Sequence, residues 1–392
     1  MSDELSYRRL PSLTSLRFIL ACPVIWYHVS YVSGIFDGSL HKSLAIVSPF
    51  AAGAVSAFFI LSGFVVTWVY RPGDRPASFW RRRWWKIVPN HLLAWTATLV
   101  LFAVAAEQMP MPSPPGDGTA AAVTNLFLVQ DWVPDYHLYS GFNTPAWSIS
   151  CEVFFYALFP ALILVARKIP AQRLRPVWAA LAGVIVLIPL VSAAIPGPEL
   201  YDWLPINERS LWFVYIFPPV RLLEFALGIV TARLIQTSTW PRIRRRYLGI
   251  FLFVLFAALP SLPPQYAMGS AAAPALAVMI ARTALADIEG RSRRLPRPAL
   301  ILLGESSYAL YITHAPLMMA ARYLVGPDPD LAPWVGFAWV LGVIAVAIPL
   351  SVVVYRYFEL PLMRRWSRSR RTPTPPQPQP SSTSAPAPAS ST

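Results

Sequence analysis

The sequence predicts an all-α polytopic membrane protein with about ten transmembrane helices. Hydrophobic residues make up 55% of the 392 positions and charged residues only 13%, a composition typical of integral membrane proteins. Apolar runs of about 20 residues, long enough to cross a bilayer as a helix, recur along the chain. They fall near residues 13–33, 45–70, 91–108, 146–166, 176–196, 211–236, 248–262, 267–285, 299–325 and 334–357.

The positions of the basic residues predict the orientation of these spans. Arginines and lysines concentrate before the first span, after the last span and in every second loop, whereas the alternate loops contain only Lys42 and Arg209. Because cytoplasmic loops carry the excess of basic residues, we expect both termini in the cytoplasm. Orientation also accounts for the net charge of +14, and we expect no nucleic-acid partner.

The chain divides into three parts. Residues 1–12 form a cytoplasmic N-terminus, and residues 13–360 form the transmembrane domain, in which 121–131 is a short re-entrant or extra helix. Residues 361–392 are first basic and then rich in Pro, Ser and Ala, which predicts a disordered cytoplasmic tail because such a segment cannot bury a core. The first apolar stretch lacks a cleavage site, so we expect it to remain as an anchor.

The first span contains two residues that are costly in hydrocarbon, Arg17 and His28. Eleven helical steps of about 100° return to within about 20° of the starting direction, so both side chains share one face, about 16 Å apart along the axis. One charge can therefore lie near the cytoplasmic surface while the imidazole lies deep inside. Two such residues on one face of one helix indicate a functional site, and both are catalytic candidates.

A basic and aromatic run, FWRRRWWKIVPNH, covers residues 79–91 just before the third span. Positive-inside anchoring with interfacial tryptophans explains such a run in many membrane proteins. Arg83 and Lys86 nevertheless share a helix face and could hold the phosphates of a nucleotide-like donor, Arg as a fork and Lys as a point charge. We predict that Arg82, Arg83 and Lys86 bind this donor.

In the fourth span, Ser148, Glu152 and Tyr156 recur every four residues on one helix face, near the outer end of the helix. A carboxylate in a membrane span needs a partner. Glu152 therefore either anchors the bundle or takes a direct part in substrate binding or acid–base chemistry. Both interpretations stay open, and Glu152 is the third catalytic candidate.

The sixth span places Arg221 and Glu224 at i, i+3 after a kink at Pro218–Pro219, so the two side chains can pair with each other. A structural ion pair is the favoured interpretation. Contact with substrate is the alternative, for which both residues remain candidates.

The ninth span carries a polar stripe of Ser307, Tyr311 and His314 on an otherwise apolar helix. An intramembrane histidine is usually a satisfied core residue, but this stripe is also suited to binding substrate, and we retain all three residues as candidates. At the end of the tenth span, Arg356 and Glu359 stand at i, i+3 and predict an ion pair at the helix end.

Seven motifs run in order from about Pro11 to Pro361 and read PSLTSLRFILACPVIWYH, FFILSGFVV, FWRRRWWKIVP, PAWSISCEVFFY, RLLEFALG, LGESSYALYITHAP and YRYFELP. Taken together, they resemble the acyltransferase-3 family of integral membrane O-acyltransferases. Each motif alone is weak evidence for the family, but seven motifs in the same order are a specific signal. In this family the second residue of the basic pair is usually Arg, whereas here it is Lys86.

The resemblance implies transfer of an acyl group, acetyl most simply, from cytoplasmic acyl-CoA to a hydroxyl, with Arg17 and His28 essential. The acceptor is a sugar, a glycosylated natural product such as a macrolide, or a cell-envelope polysaccharide. The implied location is the bacterial plasma membrane, in contact with membrane lipid. Acyl-CoA acts as a co-substrate, and no tightly bound cofactor or metal is expected.

The expected chemistry starts from a neutral His28, which takes the proton of the acceptor hydroxyl while that oxygen attacks the thioester carbonyl. Arg17 orients the donor or stabilises negative charge, and Glu152 supports the imidazole or the acceptor. A covalent acyl-cysteine at Cys22 or Cys151 is a minor alternative. The rival from another class is a secondary transporter or flippase that uses the intramembrane His, Glu and Arg residues, although no inverted repeat is visible.

Overall fold

Helices form nearly all of the regular structure of the chain. The computed structural model describes residues 9–105, 118–201, 204–241, 245–268, 271–292, 297–326 and 331–367. The helices of the first half are α1 (Pro11–Tyr27), α2 (Gly38–Leu44), α3 (Ser48–Trp68), α4 (Pro76–Ala105), α5 (Thr119–Leu126), α6 (Tyr136–Tyr139), α7 (Ala146–Lys168) and α8 (Ala171–Ala193).

The second half begins with an antiparallel hairpin of β1 (Glu199–Tyr201) and β2 (Leu204–Asn207), the one sheet in the described part of the chain. Helices follow as far as residue 367, where the described residues end. They are α9 (Glu208–Leu211), α10 (Pro218–Gln236), α11 (Arg245–Ala258), α12 (Pro264–Ala267), α13 (Ala273–Ile288), α14 (Pro298–Glu305), α15 (Ser307–Val325), α16 (Pro333–Val354) and α17 (Leu360–Trp366).

Seven helical stretches among the described residues are long and apolar enough to cross a membrane. They are Pro11–Val32, Gly38–Trp68, Pro76–Val104, Ala146–Lys168, Ala171–Ala193, Glu208–Gln236 and Pro333–Trp366. The chain is therefore an all-α, multi-pass membrane protein, as the sequence predicts.

Shorter or more polar helices occupy the positions of the other three predicted spans. The helices α11 and α13 have 14 and 16 residues, and α14 is separated from α15 at Ser306. At 1.5 Å per residue, α11 is about 21 Å long, which is less than the roughly 30 Å of a bilayer core. The count of about ten spans and the cytoplasmic termini remain predictions.

The centre of the bundle is formed by α1, α3 and α10. More than half of the most apolar window of each corresponding span is buried, 56%, 61% and 56%, whereas the spans that contain α8 and α16 are only 22% buried. The last two therefore face the lipid. The core lies where α1, α3 and α10 meet α7, α13 and α15.

Two glycines allow α3 and α10 to pack with their backbones in contact. A Cβ atom at Gly63 would collide with the carbonyl oxygen of Phe225, and a Cβ atom at Gly228 would collide with that of Ile60. Small residues at such crossings let membrane helices approach closely. This contact fixes the position of α3, which lies between the two cavities described below.

In the part of the chain that the structure describes, three five-residue π-helical segments adjoin the α-helices. His28–Val32 continues α1, Trp212–Ile216 follows α9, and Tyr355–Glu359 joins α16 to α17. Such turns are rare and occur often at functional sites. Two of these segments carry residues that the sequence analysis selected, His28 and Glu359.

One predicted element boundary needs correction. The basic run 79–91 lies within the continuous helix α4 and does not precede its span, because Trp, Arg and Lys can remain helical while their polar ends reach the membrane surface. Helix α17 extends from Leu360 to Trp366, and the domain limits at residues 13 and 360 remain predictions. The predicted short helix at 121–131 is present as α5, followed by a 3₁₀ turn at Gln130–Trp132.

The two predicted terminal segments fall largely outside the described residues. The structure begins at residue 9 and ends at residue 367. Residues 1–8 of the predicted N-terminus and residues 368–392 of the predicted disordered tail therefore stay predictions.

Candidate functional site

Two of the cavities among the described residues lie next to each other in the bundle. The first, which we name the basic cavity, has a volume of about 90 Å³ and is lined by the charged residues Arg17, Arg83, Lys86 and Glu152. The second, the aromatic cavity, has a volume of about 440 Å³ and is lined by His28. Its aromatic lining residues are Tyr27, Tyr31, Tyr136, Tyr139, Trp147, Tyr215 and Tyr311. Val55 and Tyr311 line both cavities.

Arg17 and Glu152 face the basic cavity from α1 and α7. The Arg17 guanidinium lies within electrostatic range of the Glu152 carboxylate and of Arg83, but it forms no hydrogen bond with any described residue. Its donors are therefore available to a ligand in the cavity. The sequence predicted both residues as catalytic, and the structure brings them to one cavity.

A chain of hydroxyl groups supports the Glu152 carboxylate. Tyr156 Oη lies 3.4 Å from Glu152 Oε1 and 2.6 Å from Ser62 Oγ. Ser148, Glu152 and Tyr156 all line the basic cavity. The predicted stripe on α7 thus faces the same cavity as Arg83 and lies in the first half of that helix, and its position relative to the outer membrane surface remains a prediction.

The basic run on α4 divides between the cavity and the surface. Arg83 lines the basic cavity, where its guanidinium carbon lies 5.5 Å and 5.3 Å from the ring centres of Phe79 and Tyr156, a cation–π geometry. Arg82 points elsewhere and forms an ion pair of 2.9 Å with Asp74. Of the two predicted arginines, the structure brings only Arg83 to the cavity.

Lys86 lines the basic cavity and forms an ion pair with Glu359. Glu359 is 1% exposed and also accepts a hydrogen bond of 2.5 Å from Asn90 Nδ2. The prediction that Glu359 pairs with Arg356 is wrong, because Arg356 is exposed. Both residues belong to a π-helical segment, whose wider turn does not place i and i+3 above each other as an α-helix does.

His28 faces the aromatic cavity at the point where α1 becomes π-helical. Its Nδ1 atom lies 2.8 Å from the carbonyl oxygen of Val24. Because a carbonyl can only accept, Nδ1 carries the proton and donates, which leaves the Nε2 lone pair free to act as a base. Arg17 and His28 share one helix but serve different cavities.

His314 lies against His28. The two ring centres are 5.0 Å apart, and His314 is fully buried. Its Nδ1 atom lies 2.6 Å from the carbonyl oxygen of Tyr311. The predicted polar stripe on α15 therefore reaches the neighbourhood of the catalytic candidate His28.

The other two residues of this stripe line the basic cavity. Ser307 donates to the Gly304 carbonyl oxygen at 2.8 Å, and the Tyr311 hydroxyl accepts a hydrogen bond of 2.7 Å from Ser148. Tyr311 is the member of the stripe that lines both cavities. Ser307, Tyr311 and His314 thus form a line from the basic cavity to His28, and their contact with substrate remains a prediction.

Arg221 and Glu224 form the predicted ion pair, with an N···O distance of 2.9 Å and both side chains 1% exposed. Arg221 also donates to Ser56 Oγ at 2.9 Å and lies 5.4 Å from the ring centre of Tyr215. Neither member of the pair lines any of the cavities described here. Arg221 thus packs against Tyr215, a residue of the aromatic cavity. Direct contact of Arg221 or Glu224 with substrate remains a prediction.

The two cysteines lie away from both cavities. Cys22 is exposed, and Cys151 is buried beside Asp131, with a Sγ–Oδ2 distance of 3.5 Å. Neither side chain lines the basic or the aromatic cavity. This placement does not support a covalent acyl-cysteine.

Sequence reasoning missed several residues that complete the site. Tyr308 lines the basic cavity, and its ring centre lies 5.5 Å from Lys86 Nζ. Asn90 stands one helical turn after Lys86, a spacing that indicates a shared partner. The aromatic lining, by contrast, comes from helical segments far apart in the sequence and carries no local signal.

The chain is similar to known proteins over nearly its whole length. A family model for an acyltransferase domain matches residues 10–356. The chain is 35% identical to the acyltransferase MdmB of Streptomyces mycarofaciens over 368 residues, which cover 92% of this chain and 94% of that protein. No solved structure matches the chain.

Two further relatives are longer than this chain. The chain is 25% identical to the putative peptidoglycan O-acetyltransferase YrhL of Bacillus subtilis and 23% identical to the peptidoglycan O-acetyltransferase OatA of Listeria monocytogenes. These matches cover 93% and 92% of this chain but only 56% of each relative.

Proposed function

Since this chain belongs to the acyltransferase-3 family and is an enzyme that transfers acyl groups, we propose that it moves an acyl group from cytoplasmic acyl-CoA to a sugar hydroxyl. The acyl group is most simply acetyl. The acceptor is a cell-envelope polysaccharide or a glycosylated natural product such as a macrolide. The enzyme acts in the bacterial plasma membrane, with both termini in the cytoplasm.

The observation that carries this proposal is the meeting of two chemically different cavities. Three basic side chains and one carboxylate line the basic cavity, which favours an anionic donor such as the phosphates of acyl-CoA. The donor would enter from the side of Arg83, which lies among the predicted cytoplasmic charges. Its thioester would reach the junction at Val55 and Tyr311.

The aromatic cavity has the properties of an acceptor site. Its volume of about 440 Å³ lies within the range of small-molecule pockets, roughly 300–1,000 Å³. Tyrosine rings offer both apolar faces and hydroxyl groups, and among the residues that the structure describes the lining includes no carboxylate. An uncharged sugar with an apolar face suits this lining. The cavity opens near Lys42, which the charge pattern places outside the cytoplasm.

The proposed reaction is direct transfer at the junction. His28 Nε2 takes the proton of the acceptor hydroxyl while the hydroxyl oxygen attacks the thioester carbonyl. Arg17 directs its free donors at the thioester and stabilises the negative charge that develops there, and Glu152 orients Arg17. The tetrahedral intermediate collapses to the ester, and the proton passes to the CoA thiolate.

The test is acyl transfer by the purified protein from labelled acetyl-CoA to a sugar acceptor. A general base contributes about 10²–10⁴-fold, so His28→Ala should lower turnover by that factor while the protein remains folded by size-exclusion chromatography. His137→Ala is the matched control, because His137 lines neither cavity. Full turnover by folded His28→Ala, or solute movement across vesicles without acyl transfer, would contradict the proposal.

A further inference from the structure

We propose that His314 is a positioning residue that acts through His28, sharing at its Nε2 atom the proton that His28 takes from the acceptor. The inference rests on the proposed function. It assigns His314 a role different from substrate binding, and three independent features of the structure support it.

The first feature is the contact between the two imidazoles. Their ring centres lie 5.0 Å apart, with the ring planes inclined by 55°. Each ring nitrogen lies off its ring centre towards the edge, so this separation allows a hydrogen bond between facing nitrogens after a small rotation. His28 comes from the end of α1 and His314 from the middle of α15, so the contact is made only by the packing of these helices.

The second feature is the matched orientation of the two rings. His28 Nδ1 donates to the Val24 carbonyl oxygen at 2.8 Å, and His314 Nδ1 donates to the Tyr311 carbonyl oxygen at 2.6 Å. These carbonyls fix the same tautomer in both rings. In the neutral state each Nε2 therefore carries a lone pair, and two lone pairs cannot hydrogen-bond to each other. One added proton makes the pair complementary.

The third feature is the unpartnered nitrogen of His314. The side chain is 0% exposed, and within the described residues its Nε2 atom has no hydrogen-bond partner. A buried acceptor without a partner costs free energy. The Nε2–H of a protonated His28 would satisfy it. Within the same described residues, no carboxylate forms a hydrogen bond with either ring. The Val24 carbonyl holds the position at His28 Nδ1 that a carboxylate holds in a catalytic triad, which leaves Nε2 as the atom that His314 can share.

The proton balance closes without an additional reactant. The acceptor O–H bond breaks, and its proton goes to His28 Nε2 while the oxygen–acyl bond forms. The proton is held between the two Nε2 atoms until the carbon–sulfur bond breaks. His28 then passes it to the thiolate, so that the products are the ester and free CoA, and both rings return to the neutral state.

Two substitutions separate the two nitrogens of His314. The amide N–H of His314→Asn can still donate to the Tyr311 carbonyl, but this variant has no atom at the Nε2 position. The longer His314→Gln places an amide oxygen near that position. We expect His314→Asn to lower kcat by roughly 10- to 100-fold, a smaller loss than that of the base itself, with the KM values of acyl-CoA and acceptor unchanged. His314→Gln should retain more activity than His314→Asn.

A proton inventory of the wild-type enzyme gives a second readout that does not depend on the folding of any variant. Measurement of kcat in mixtures of H₂O and D₂O should give a curved plot, because a shared proton makes more than one exchangeable site contribute. If His314 were purely structural, only one proton would be transferred in the transition state, and the plot of kcat against the fraction of D₂O would be linear. A linear plot would overturn the proposal.

The kinetic outcomes also distinguish this proposal from its premise. If wild-type enzyme transfers no acyl group from acyl-CoA, the proposed function fails before His314 is tested. If wild-type enzyme is active and folded His314→Asn keeps full kcat, the proton-sharing role is wrong. A raised KM for the acceptor with unchanged kcat would likewise overturn it, because that result indicates direct substrate contact.

Discussion

Arg83 and Arg82 are adjacent in sequence but have different environments. Arg83 lines the basic cavity beside the rings of Phe79 and Tyr156, whereas Arg82 is paired with Asp74. The guanidinium of Arg83 lies near both rings, and its planar donors suit phosphate or carboxylate oxygens. This contrast between neighbours provides a test of the donor site.

We expect Arg83→Ala to raise the KM of acyl-CoA about 10-fold or more, because a hydrogen bond to a charged group contributes about 1.5–3 kcal/mol. Steady-state kinetics with varied acyl-CoA measure this effect. Arg82→Ala is the matched control and should leave that KM within about twofold. An equal rise in both variants would mean that the basic run attracts the donor only through its total charge.

Glu359 shows the limit of sequence reasoning for single residues. The sequence placed Arg356 within reach of Glu359 on the assumption of an α-helix, but the segment is π-helical and the carboxylate turns inward to Lys86 and Asn90. Local spacing cannot reveal a partner on another helix. By contrast, the pairing of Arg221 with Glu224 was predictable, because both stand on one regular helix.

At the scale of elements, the crossing of α3 and α10 depends on glycine at two reciprocal positions. Gly63 faces the backbone of Phe225, and Gly228 faces the backbone of Ile60. Helix α3 also carries Val55 and Ser62, which line the basic cavity. A change in this crossing would therefore alter the site as well as the stability of the bundle.

Gly228→Ala should destabilise the protein by about 1–3 kcal/mol, because the added methyl group overpacks a backbone contact. The midpoint of thermal unfolding in detergent should fall accordingly. Gly183→Ala on the lipid-facing helix α8 is the matched control, since no atom lies within 4 Å of the added Cβ. It should be neutral or slightly stabilising, because alanine is the better helix former. Equal midpoints for the two variants would contradict the tight crossing.

The sequence predicted the existence of most helices but not all of their limits. Long apolar runs such as 146–166 and 334–357 appear as α7 and α16. A run of about 20 apolar residues has the length and composition of a helix that crosses the bilayer. The helix α4 begins earlier than predicted, at Pro76, because amphipathic Trp, Arg and Lys continue a helix without contributing to an apolar run.

At the scale of the whole molecule, the site arises from the meeting of helices. The sequence placed Arg17, Glu152 and Arg83 on suitable faces of three helices. It could not show that these faces converge, because that depends on packing between residues far apart in the chain. The same reason applies to the contact of His28 with His314. The periodicity of a sequence predicts which residues share one face of a helix. The packing of the helices determines which of these faces contact each other.

The proposed sidedness of the two cavities can be tested by labelling. In a Cys22→Ser, Cys151→Ser background, Lys42→Cys marks the mouth of the aromatic cavity and Arg75→Cys the predicted cytoplasmic loop, and both positions are exposed. An impermeant maleimide should label Lys42→Cys on intact cells and Arg75→Cys only after permeabilisation. The reverse pattern would invert the proposed orientation.

The wall that Val55 and Tyr311 share between the two cavities has an electrical consequence. Where water enters a membrane protein from both sides, the transmembrane voltage falls mainly across the remaining dry layer, so the local field there exceeds that of an intact bilayer. One elementary charge that crosses the full voltage gains about 2.3 kcal/mol per 100 mV. In the proposed reaction, the acceptor proton and the electron pair that leaves with the thioester sulfur both move inward across this layer, so their charges cancel. The membrane voltage therefore neither drives nor opposes acyl transfer, but the same side chains have to insulate the cell against a proton that crosses alone.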